Sequence, residues 1–304
     1  MDVNLNEIVD VSKIARLGQS KHSGEIIPLA SKANLKPAID DKVKRLLLVI
    51  DQQNDFMPGI GSLGVPGADQ DVKRLINFLY RNAEHITSVM CSMDTHFPLQ
   101  IFHPAMWEND QGQKPDPFTV ITYDDVSKGL WKTIHCPPSK VLKCLESLKN
   151  SDKVGVTIWP YHCLVGTSGF CLEAEFANLM LFHSYARSYR PLIIFKGTDT
   201  YSEMYGIIEP EYNPQNFVNT PIINAIEYYD EIYIAGQAAS HCVLESAKQI
   251  LKYYEDMPSV TTKFIFLGDC SSPVAGFEKT TKDAFKVLEK DYGVKISKST
   301  DICF

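Results

Sequence analysis

The sequence predicts an α/β protein with an open, mostly parallel sheet and helices on both of its faces. Short segments rich in aliphatic residues alternate along the chain with amphipathic segments whose apolar residues recur at helical spacing. The aliphatic segments are continuously apolar, which is typical of strands buried on both faces. Polar residues capable of chemistry follow several of these segments, at the sheet edge where parallel α/β proteins bind ligands.

The first predicted strand, 44–51, reads KRLLLVID, and the helix at 69–83 separates it from a second strand at 86–94. The same alternation returns in the second half of the chain. The later strands are predicted at 191–197, 231–236, 263–269 and 294–297, and the later helices at 220–229, 242–254 and 277–293.

Two regions do not follow this alternation. Residues 1–43 precede the first strand and are predicted to be an N-terminal extension with one short helix and an extended arm. Residues 44–304 are predicted to form one domain, interrupted by an insertion at about 104–153 that contains a helix at 139–150. An insertion of this length is typical of a lid, a binding element or an assembly surface.

Composition limits the class of protein. The 304 residues carry a net charge of −7, and no run of lysine or arginine suggests a nucleic-acid partner. The N-terminal sequence lacks the features of a signal peptide, and no apolar stretch is long enough to span a membrane. The eight cysteines contain no CxxC pair, which favours free thiols in a reducing compartment such as the cytoplasm.

Three residues that could perform covalent chemistry follow predicted strands. Asp51 ends VID, Lys196 ends IIFK, and Cys242 lies in the turn after EIYIAG, near the first turn of a helix. Free N–H groups and the helix dipole at this place favour a thiolate. A carboxylate, an amine and a thiol at one sheet edge predict acyl transfer through a thioester. Asp51 would accept the thiol proton, and the turn GQAASHC would supply oxyanion donors.

A metal site is predicted beside these groups. Asp94 and His96 in SMDTHFP can reach one cation, and the spacing leaves the third ligand open between His103 and His162. Two histidines and one carboxylate with open positions are typical of a catalytic or ligand-binding metal site.

Five motifs together resemble the isochorismatase-like cysteine hydrolases. They are, in chain order, IDQQNDFMPGIGSLGVPGA, MDTHF, WPYHCLVGTSG, FKGTD and AGQAASHCV. The motif WPYHC is similar to the metal-histidine motif of the nicotinamidase branch. The resemblance covers roughly 44–103 and 154–300 and implies a Rossmann-like three-layer fold.

The resemblance also implies roles for individual residues. It implies a catalytic triad of Asp51, Lys196 and Cys242. The implied metal ligands are Asp94, His96 and His162, with His103 as a further candidate. Phe56 and Trp159 would enclose a pyridine ring, and Ala238 would follow a cis peptide bond and form the oxyanion hole with Cys242. The implied cofactor is one divalent ion, with zinc preferred over iron or manganese.

These inferences favour a metal-dependent nicotinamidase that converts nicotinamide to nicotinate and ammonia. One alternative is a related hydrolase acting on another small amide or carbamoyl compound. A second is an inactive binding protein on the same fold. Ala239 and Ser240 replace the acidic or threonine residues common in the family, which leaves the substrate open. The expected partner is a small amide, and assembly into a homo-oligomer is left open.

Overall fold

A computed structural model describes residues 1–150 and 153–304 and contains one six-stranded sheet. Every strand pair in this sheet is parallel, and the strand order is β10-β9-β8-β1-β2-β7. The predicted fold class is confirmed. The strands of this sheet are β1 (Arg45–Ile50), β2 (Ser88–Asp94), β7 (Leu192–Lys196), β8 (Glu231–Gly236), β9 (Phe264–Leu267) and β10 (Lys295–Ser297).

The five helices predicted from periodicity between residue 69 and residue 293 are confirmed, with ends within two residues of the predicted ones, whereas α4, α6 and α9 were not predicted. The helices are α1 (Leu5–Ile8), α2 (Ser23–Lys32), α3 (Ala68–Arg81), α4 (Tyr123–Ser127), α5 (Pro138–Asn150), α6 (Ala174–Ala186), α7 (Thr220–Tyr228), α8 (Leu244–Tyr253), α9 (Pro258–Thr261) and α10 (Glu278–Tyr292). Short 3₁₀ turns lie at Val11–Lys13, Ala38–Asp40, Asn54–Phe56, Pro104–Met106 and Ser299–Asp301. None of the helices in the described ranges is both long and apolar enough to cross a membrane.

The central strand β1 divides the core into two layers because successive side chains of a strand point to opposite faces. Leu47 and Val49 belong to a cluster that contains the buried faces of α3 and α6. Leu46 and Leu48 belong to a second cluster on the other face, with side chains from α7 and α8. All four side chains are fully buried, so the continuous apolar run reflects burial on both faces.

Helix α6 is absent from the sequence prediction. Its sequence, AEFANLMLFHSYA, shows almost no difference in polarity between its faces, because the helix is buried between the sheet, α2 and α3. Phe176, Leu179 and Phe182 are buried, and so are the polar side chains of Asn178 and His183. A helix buried on all sides lacks the periodic pattern on which sequence prediction depends.

The N-terminal residues pack against α6 through a buried carboxylate. Glu175 accepts hydrogen bonds from the Asp10 N–H at 2.8 Å, and from the Ser20 N–H at 3.0 Å and hydroxyl at 2.8 Å. Ile8 and Ile26 are fully buried in the core beside it. The prediction of one helix and an extended arm is wrong, since two helices form here and both bury apolar side chains against the domain.

The region predicted as an insertion builds a small core of its own. It contains α4, α5 and short antiparallel strand pairs, and residues 151 and 152 at its end lie outside the described residues. The short strands are β3 (Trp107–Glu108), β4 (Val120–Ile121), β5 (Lys132–Thr133) and β6 (Val156–Thr157). Trp107 is fully buried and donates its indole N–H to the Ile101 carbonyl at 2.6 Å. The same cluster includes Trp159, so this core continues into the segment that carries a predicted site residue.

Glu173 should make stability depend on pH. It accepts the Phe176 N–H at 2.8 Å at the start of α6, and burial raises its pKa from 4.5 to about 7. The folded protein therefore binds this proton more tightly than the unfolded chain, so its stability should fall as pH rises through this interval. Glu173→Gln should gain roughly 2 kcal/mol over the wild type between about pH 5 and pH 8.

Urea denaturation of both proteins at the two pH values measures this difference. Glu146→Gln, on the exposed side of α5, is the control and should follow the wild type at both pH values. A Glu173→Gln variant that also follows the wild type would show that the buried carboxyl does not titrate as expected.

Candidate active site

The carboxyl ends of neighbouring strands bring the predicted triad together. Asp51 follows β1 directly, and Lys196 ends β7 opposite Asp94, its partner at the end of β2. Gly236 ends β8 beside Ile50, and the turn to Cys242 begins there. Adjacent parallel strands therefore deliver all of these groups to one edge of the sheet.

The Lys196 ammonium group is the centre of this arrangement. It lies 2.9 Å from Asp51 Oδ2 and 2.7 Å from Asp94 Oδ1, and it donates to the Met204 carbonyl at 3.1 Å. Its Nζ is 3.5 Å from Cys242 Sγ. All four groups are buried, so their charges act with little screening by water.

Burial and charge set the protonation of the triad in opposite directions. Burial lowers the pKa of Lys196, but the carboxylates of Asp51 and Asp94 together raise it by more, so its pKa lies well above its usual value. Burial raises the pKa of Asp51, and Lys196 only partly offsets this effect. The Asp51 carboxyl also accepts the Ser92 hydroxyl at 2.6 Å. The raised pKa makes the Asp51 carboxylate a better proton acceptor, so it can take a proton from a neighbouring group.

The prediction that Cys242 is a thiolate is wrong for this structure. Burial raises the pKa of the thiol well above its usual value, Lys196 opposes the rise, and the carboxylates of Asp51 and Asp94 add to it. Burial and the two neighbouring carboxylates outweigh the one cation. To act as the predicted nucleophile, the Cys242 thiol would therefore need a base, and Asp51 is the adjacent candidate.

The turn before Cys242 has the form that the resemblance implies. The peptide bond between Gln237 and Ala238 is cis, and one π-helical turn, Ala239–Val243, leads into α8. Gly236 has a φ of 122°, and a Cβ there would lie 2.0 Å from the Ile50 carbonyl oxygen, so only glycine fits.

Two further contacts fasten this turn. The Gln237 amide donates to Asp71 at 3.0 Å, and the Ala239 N–H donates to the Ser272 carbonyl at 2.9 Å. Within the described part of the chain, no hydrogen bond uses the Ala238 N–H, which leaves it available to a ligand oxygen.

Asp94, His96 and His162 form a cluster that could hold a metal ion. One ligand atom from each lies within 4.8 Å of the others. Asp94 Oδ2 is 3.1 Å from His96 Nε2 and 3.6 Å from His162 Nε2. The other oxygen of Asp94 contacts Lys196, so one carboxylate joins the metal cluster to the triad.

The hydrogen bonds of the histidines favour metal binding. The Nδ1 atoms of His96, His103 and His162 lie 3.1, 2.9 and 2.8 Å from backbone carbonyl oxygens. An Nδ1–H that donates to a carbonyl leaves the Nε2 lone pair free to bind a metal. In the described residues, the buried Nε2 atoms of His96 and His103 have no hydrogen-bond partner. Such buried, unsatisfied nitrogens are costly without a ligand, so this set fits a divalent ion.

His103 lies beside this cluster rather than within it. Its ring centroid is 5.8 Å from that of His96 and 6.0 Å from that of His162. Burial lowers the pKa of His103 to about 3, so the ring is neutral. The structure thus places His162 in the group of three and His103 next to it.

A small pocket opens in front of Cys242, and the predicted aromatics Phe56 and Trp159 line it together with Ala238. Three further lining residues with polar side chains were not predicted: Glu203, Tyr205 and His241. Glu203 and Tyr205 lie in an irregular loop after β7, where neither periodicity nor a motif marks them. His241 precedes the nucleophile directly, and this adjacency was the one available signal.

Glu203 orients Trp159. The Trp159 indole N–H lies 3.1 Å from Glu203 Oε2 and 3.2 Å from the Tyr205 hydroxyl. The His241 ring packs against the same indole edge to face, with centroids 5.4 Å apart. Burial raises the pKa of the Glu203 carboxyl, which has no cation in direct contact among the described residues. These contacts fix one wall of the pocket.

Comparisons with known proteins agree with this fold. No family model matches the chain. The nicotinamidase of Saccharomyces cerevisiae is 24% identical over 205 residues, which are 67% of this chain and 79% of that protein. A nicotinamidase/pyrazinamidase structure from Acinetobacter baumanii superposes with a TM-score of 0.58 at 19% identity, covering 87% of this chain and all of that one. The yeast nicotinamidase bound to the inhibitor nicotinaldehyde gives the same score and identity over 84% of this chain and 99% of that one.

The cluster of Asp94, His96 and His162 should bind one divalent ion. Metal-free protein titrated with Co²⁺ should develop the visible absorption of a bound ion, and His162→Ala should weaken binding by more than about tenfold. His103→Ala should have a smaller effect because that ring lies outside the group of three. His135→Ala, exposed in the insertion, is the control. Unchanged cobalt binding in His162→Ala would place the ion elsewhere.

Proposed function

We propose that this chain, which is related in sequence and in fold to nicotinamidases of the isochorismatase-like cysteine hydrolase family, hydrolyses nicotinamide to nicotinate and ammonia. The observation that carries the proposal is the position of the Cys242 thiol. It faces a small aromatic-lined pocket with the Lys196 ammonium 3.5 Å away, and Asp94 and His162 line the same pocket. The aromatic lining favours a planar ring, and the candidate metal ligands Asp94 and His162 favour a ring nitrogen on the amide.

The first half of the reaction forms a thioester. Cys242 Sγ attacks the carboxamide carbon while its proton moves to Asp51, and the carbonyl oxygen takes the negative charge. The N–H groups of Ala238 and Cys242 would stabilise that oxygen. The carbon–nitrogen bond then breaks, and the proton on Asp51 leaves with the nitrogen as ammonia.

The second half uses the same base. Asp51 takes a proton from water, the water oxygen attacks the thioester carbon, and the sulfur leaves as Cys242 is protonated again. Lys196 stays protonated throughout, since its pKa lies well above its usual value between two carboxylates. Its positive charge lowers the free-energy cost of forming a further negative charge next to Asp51 and Asp94.

Asp94, His96 and His162 would hold the divalent ion, with zinc preferred and iron or manganese as alternatives. When bound, such an ion supplies an electrophilic anchor for a ring nitrogen of the substrate. The protein's own contribution is the wall opposite, where Phe56 and Trp159 would enclose the ring.

We further propose that residues 104–153 are an insertion into a domain of 44–304, with 1–43 as an extension. Strand β4 pairs with β6, and the Phe118 ring packs against Trp159 with centroids 5.9 Å apart. The insertion thus supports a wall of the pocket from outside. Whether it also moves as a lid or mediates assembly stays a prediction.

The compartment is also a proposal. All eight cysteines are free, and five of them are buried. Free thiols in this number favour a reducing compartment, so we infer a cytoplasmic enzyme.

Cys242→Ala should lower the rate of ammonia release from nicotinamide by more than about a thousandfold, because the variant lacks the thiol that contacts the Lys196 ammonium at 3.5 Å. Ammonia release in a coupled assay measures this. Cys171→Ala is the matched control, since that thiol is exposed. Benzamide, which lacks the ring nitrogen, should react much more slowly than nicotinamide. Faster turnover of a non-aromatic amide would favour the alternative hydrolase.

Glu203 should act as a positioning residue for Trp159. Glu203→Leu removes one of the two acceptors of the indole N–H and leaves only the Tyr205 hydroxyl, so kcat/KM should fall about tenfold, mainly through a higher KM, because the ring wall loosens. Glu203→Gln keeps an acceptor oxygen and should restore KM to near the wild-type value. Steady-state kinetics of both variants, with near-ultraviolet circular dichroism to follow the indole, make the test. If both variants were impaired to the same extent, the charge of Glu203 rather than its hydrogen bond would matter. Wild-type kinetics in both variants would contradict the positioning role.

A further inference from the structure

We propose a second ligand site, separate from the catalytic pocket, that takes an anionic ligand with a planar ring, of about the size of a mononucleotide. The site is a cleft between helix α5 of the insertion and the loop that follows β7. We call it the lysine cleft, and its principal lining residues are Lys140, Lys143, Phe195, Tyr201, Tyr212 and Phe217. This inference goes beyond the proposed amidase activity and does not depend on it.

The size of the cleft is that of a small-molecule site. Its volume is about 540 Å³. Protein sites for drug-sized ligands commonly span roughly 300–1,000 Å³. A single aromatic ring would leave much of this space unfilled, whereas a ring joined to a separate charged group would fill it.

The charge of the cleft favours an anion. Lys140 and Lys143 are three residues apart on α5, so they project from neighbouring positions on one side of the helix. Throughout 1–150 and 153–304, no carboxylate lies within 4.0 Å of either ammonium group, whereas Lys149 of the same helix pairs with Asp124 at 3.1 Å. Two unpaired cations beside a cavity create a positive potential that a phosphate or carboxylate would satisfy.

The one carboxylate in the lining is already engaged. Asp199 Oδ1 accepts the N–H of Tyr201 at 2.6 Å, which holds the loop after β7 in its turn. The Lys140 ammonium lies over the Tyr201 ring, 4.7 Å from its centroid. This contact holds one lysine at the mouth of the cleft and leaves its charge available to a ligand.

Exposed aromatic rings supply the contact for a planar group. Phe195 lies on β7, the edge strand, and is 58% exposed, and Phe217 across the cleft is 49% exposed. Large apolar side chains exposed together around a cavity mark ligand or partner sites more often than bare surface. Stacking of a base on an aromatic ring contributes roughly 1–3 kcal/mol. Lysines and rings lining the same cleft therefore match a ligand that carries both an anionic group and a flat ring.

The lysine cleft is distinct from the catalytic pocket but adjoins it. Lys196 and Met204 both form part of its wall, and the Lys196 ammonium donates to the Met204 carbonyl at 3.1 Å. Cys242 and Trp159 line the catalytic pocket and do not reach the cleft. A ligand in the cleft would thus adjoin the segment that carries Lys196 and Met204 without meeting Cys242.

Equilibrium dialysis of the full-length protein with AMP tests the proposal. Saturable binding of AMP is expected, with adenosine and inorganic phosphate each at least about tenfold weaker, because each lacks one of the two recognised groups. Lys140→Ala/Lys143→Ala should weaken AMP binding by about tenfold or more, and Phe195→Ala should weaken it through the ring alone. The control Lys132→Ala/Lys149→Ala removes the same charge from α5 and its surroundings outside the cleft, and it should bind AMP as the wild type does.

Absence of saturable AMP binding at millimolar concentration would overturn the proposal. So would equal AMP affinity in the wild type and in Lys140→Ala/Lys143→Ala, since the ligand would then bind elsewhere. Phosphate binding as tightly as AMP would show an anion site without ring recognition and would also contradict it. Dialysis needs no turnover, so failure of the amidase proposal would leave this result unaffected.

Discussion

The buried ammonium of Lys196 is the interaction on which the rest of the site depends. Taking a charge out of water costs several kcal/mol, and only close opposite charges offset that cost. Here the carboxylates of Asp51 and Asp94 lie 2.9 and 2.7 Å away. Neither carboxylate could stay ionised so near the other without the cation, and the cation could not stay charged without them. Replacing any one of the three groups alone would therefore leave a buried charge without its partner and destabilise the site.

This constraint explains why the strand order matters. The groups come from β1, β2 and β7, which are neighbours at one side of the sheet, and their carboxyl ends meet because all three strands are parallel. Asp94 then extends this group of charges. Its second oxygen faces His96 and His162, so a bound cation there and the ammonium of Lys196 would share one carboxylate. The position of the candidate metal cluster is thus fixed by the same charge balance as the triad.

The sequence allowed most of the sheet and the groups at its edge to be predicted, for a physical reason. Buried parallel strands are continuous apolar runs, and polar residues at their ends stand out against that background. Helix α6 could not be found in this way, because burial on all sides removes its pattern. The direction of the Cys242 pKa was also beyond reach, since it depends on how burial and three neighbouring charges combine in space.

The wall of the pocket was also only partly predictable from sequence, because it depends on residues far apart in the chain. Trp159 was recognised from a local motif, but its orientation depends on Glu203 from the loop after β7 and on Phe118 from the insertion. These residues are 44 and 41 positions away in the chain, so no local spacing connects them to the motif. Residues 104–153 separate the motifs in sequence, yet the core that they help to build includes Trp159, and helix α5 borders a cleft that Lys196 also lines. Side chains of this segment therefore pack next to the candidate site on two sides. Substitutions in the segment should accordingly be interpreted as changes in how the site residues are positioned.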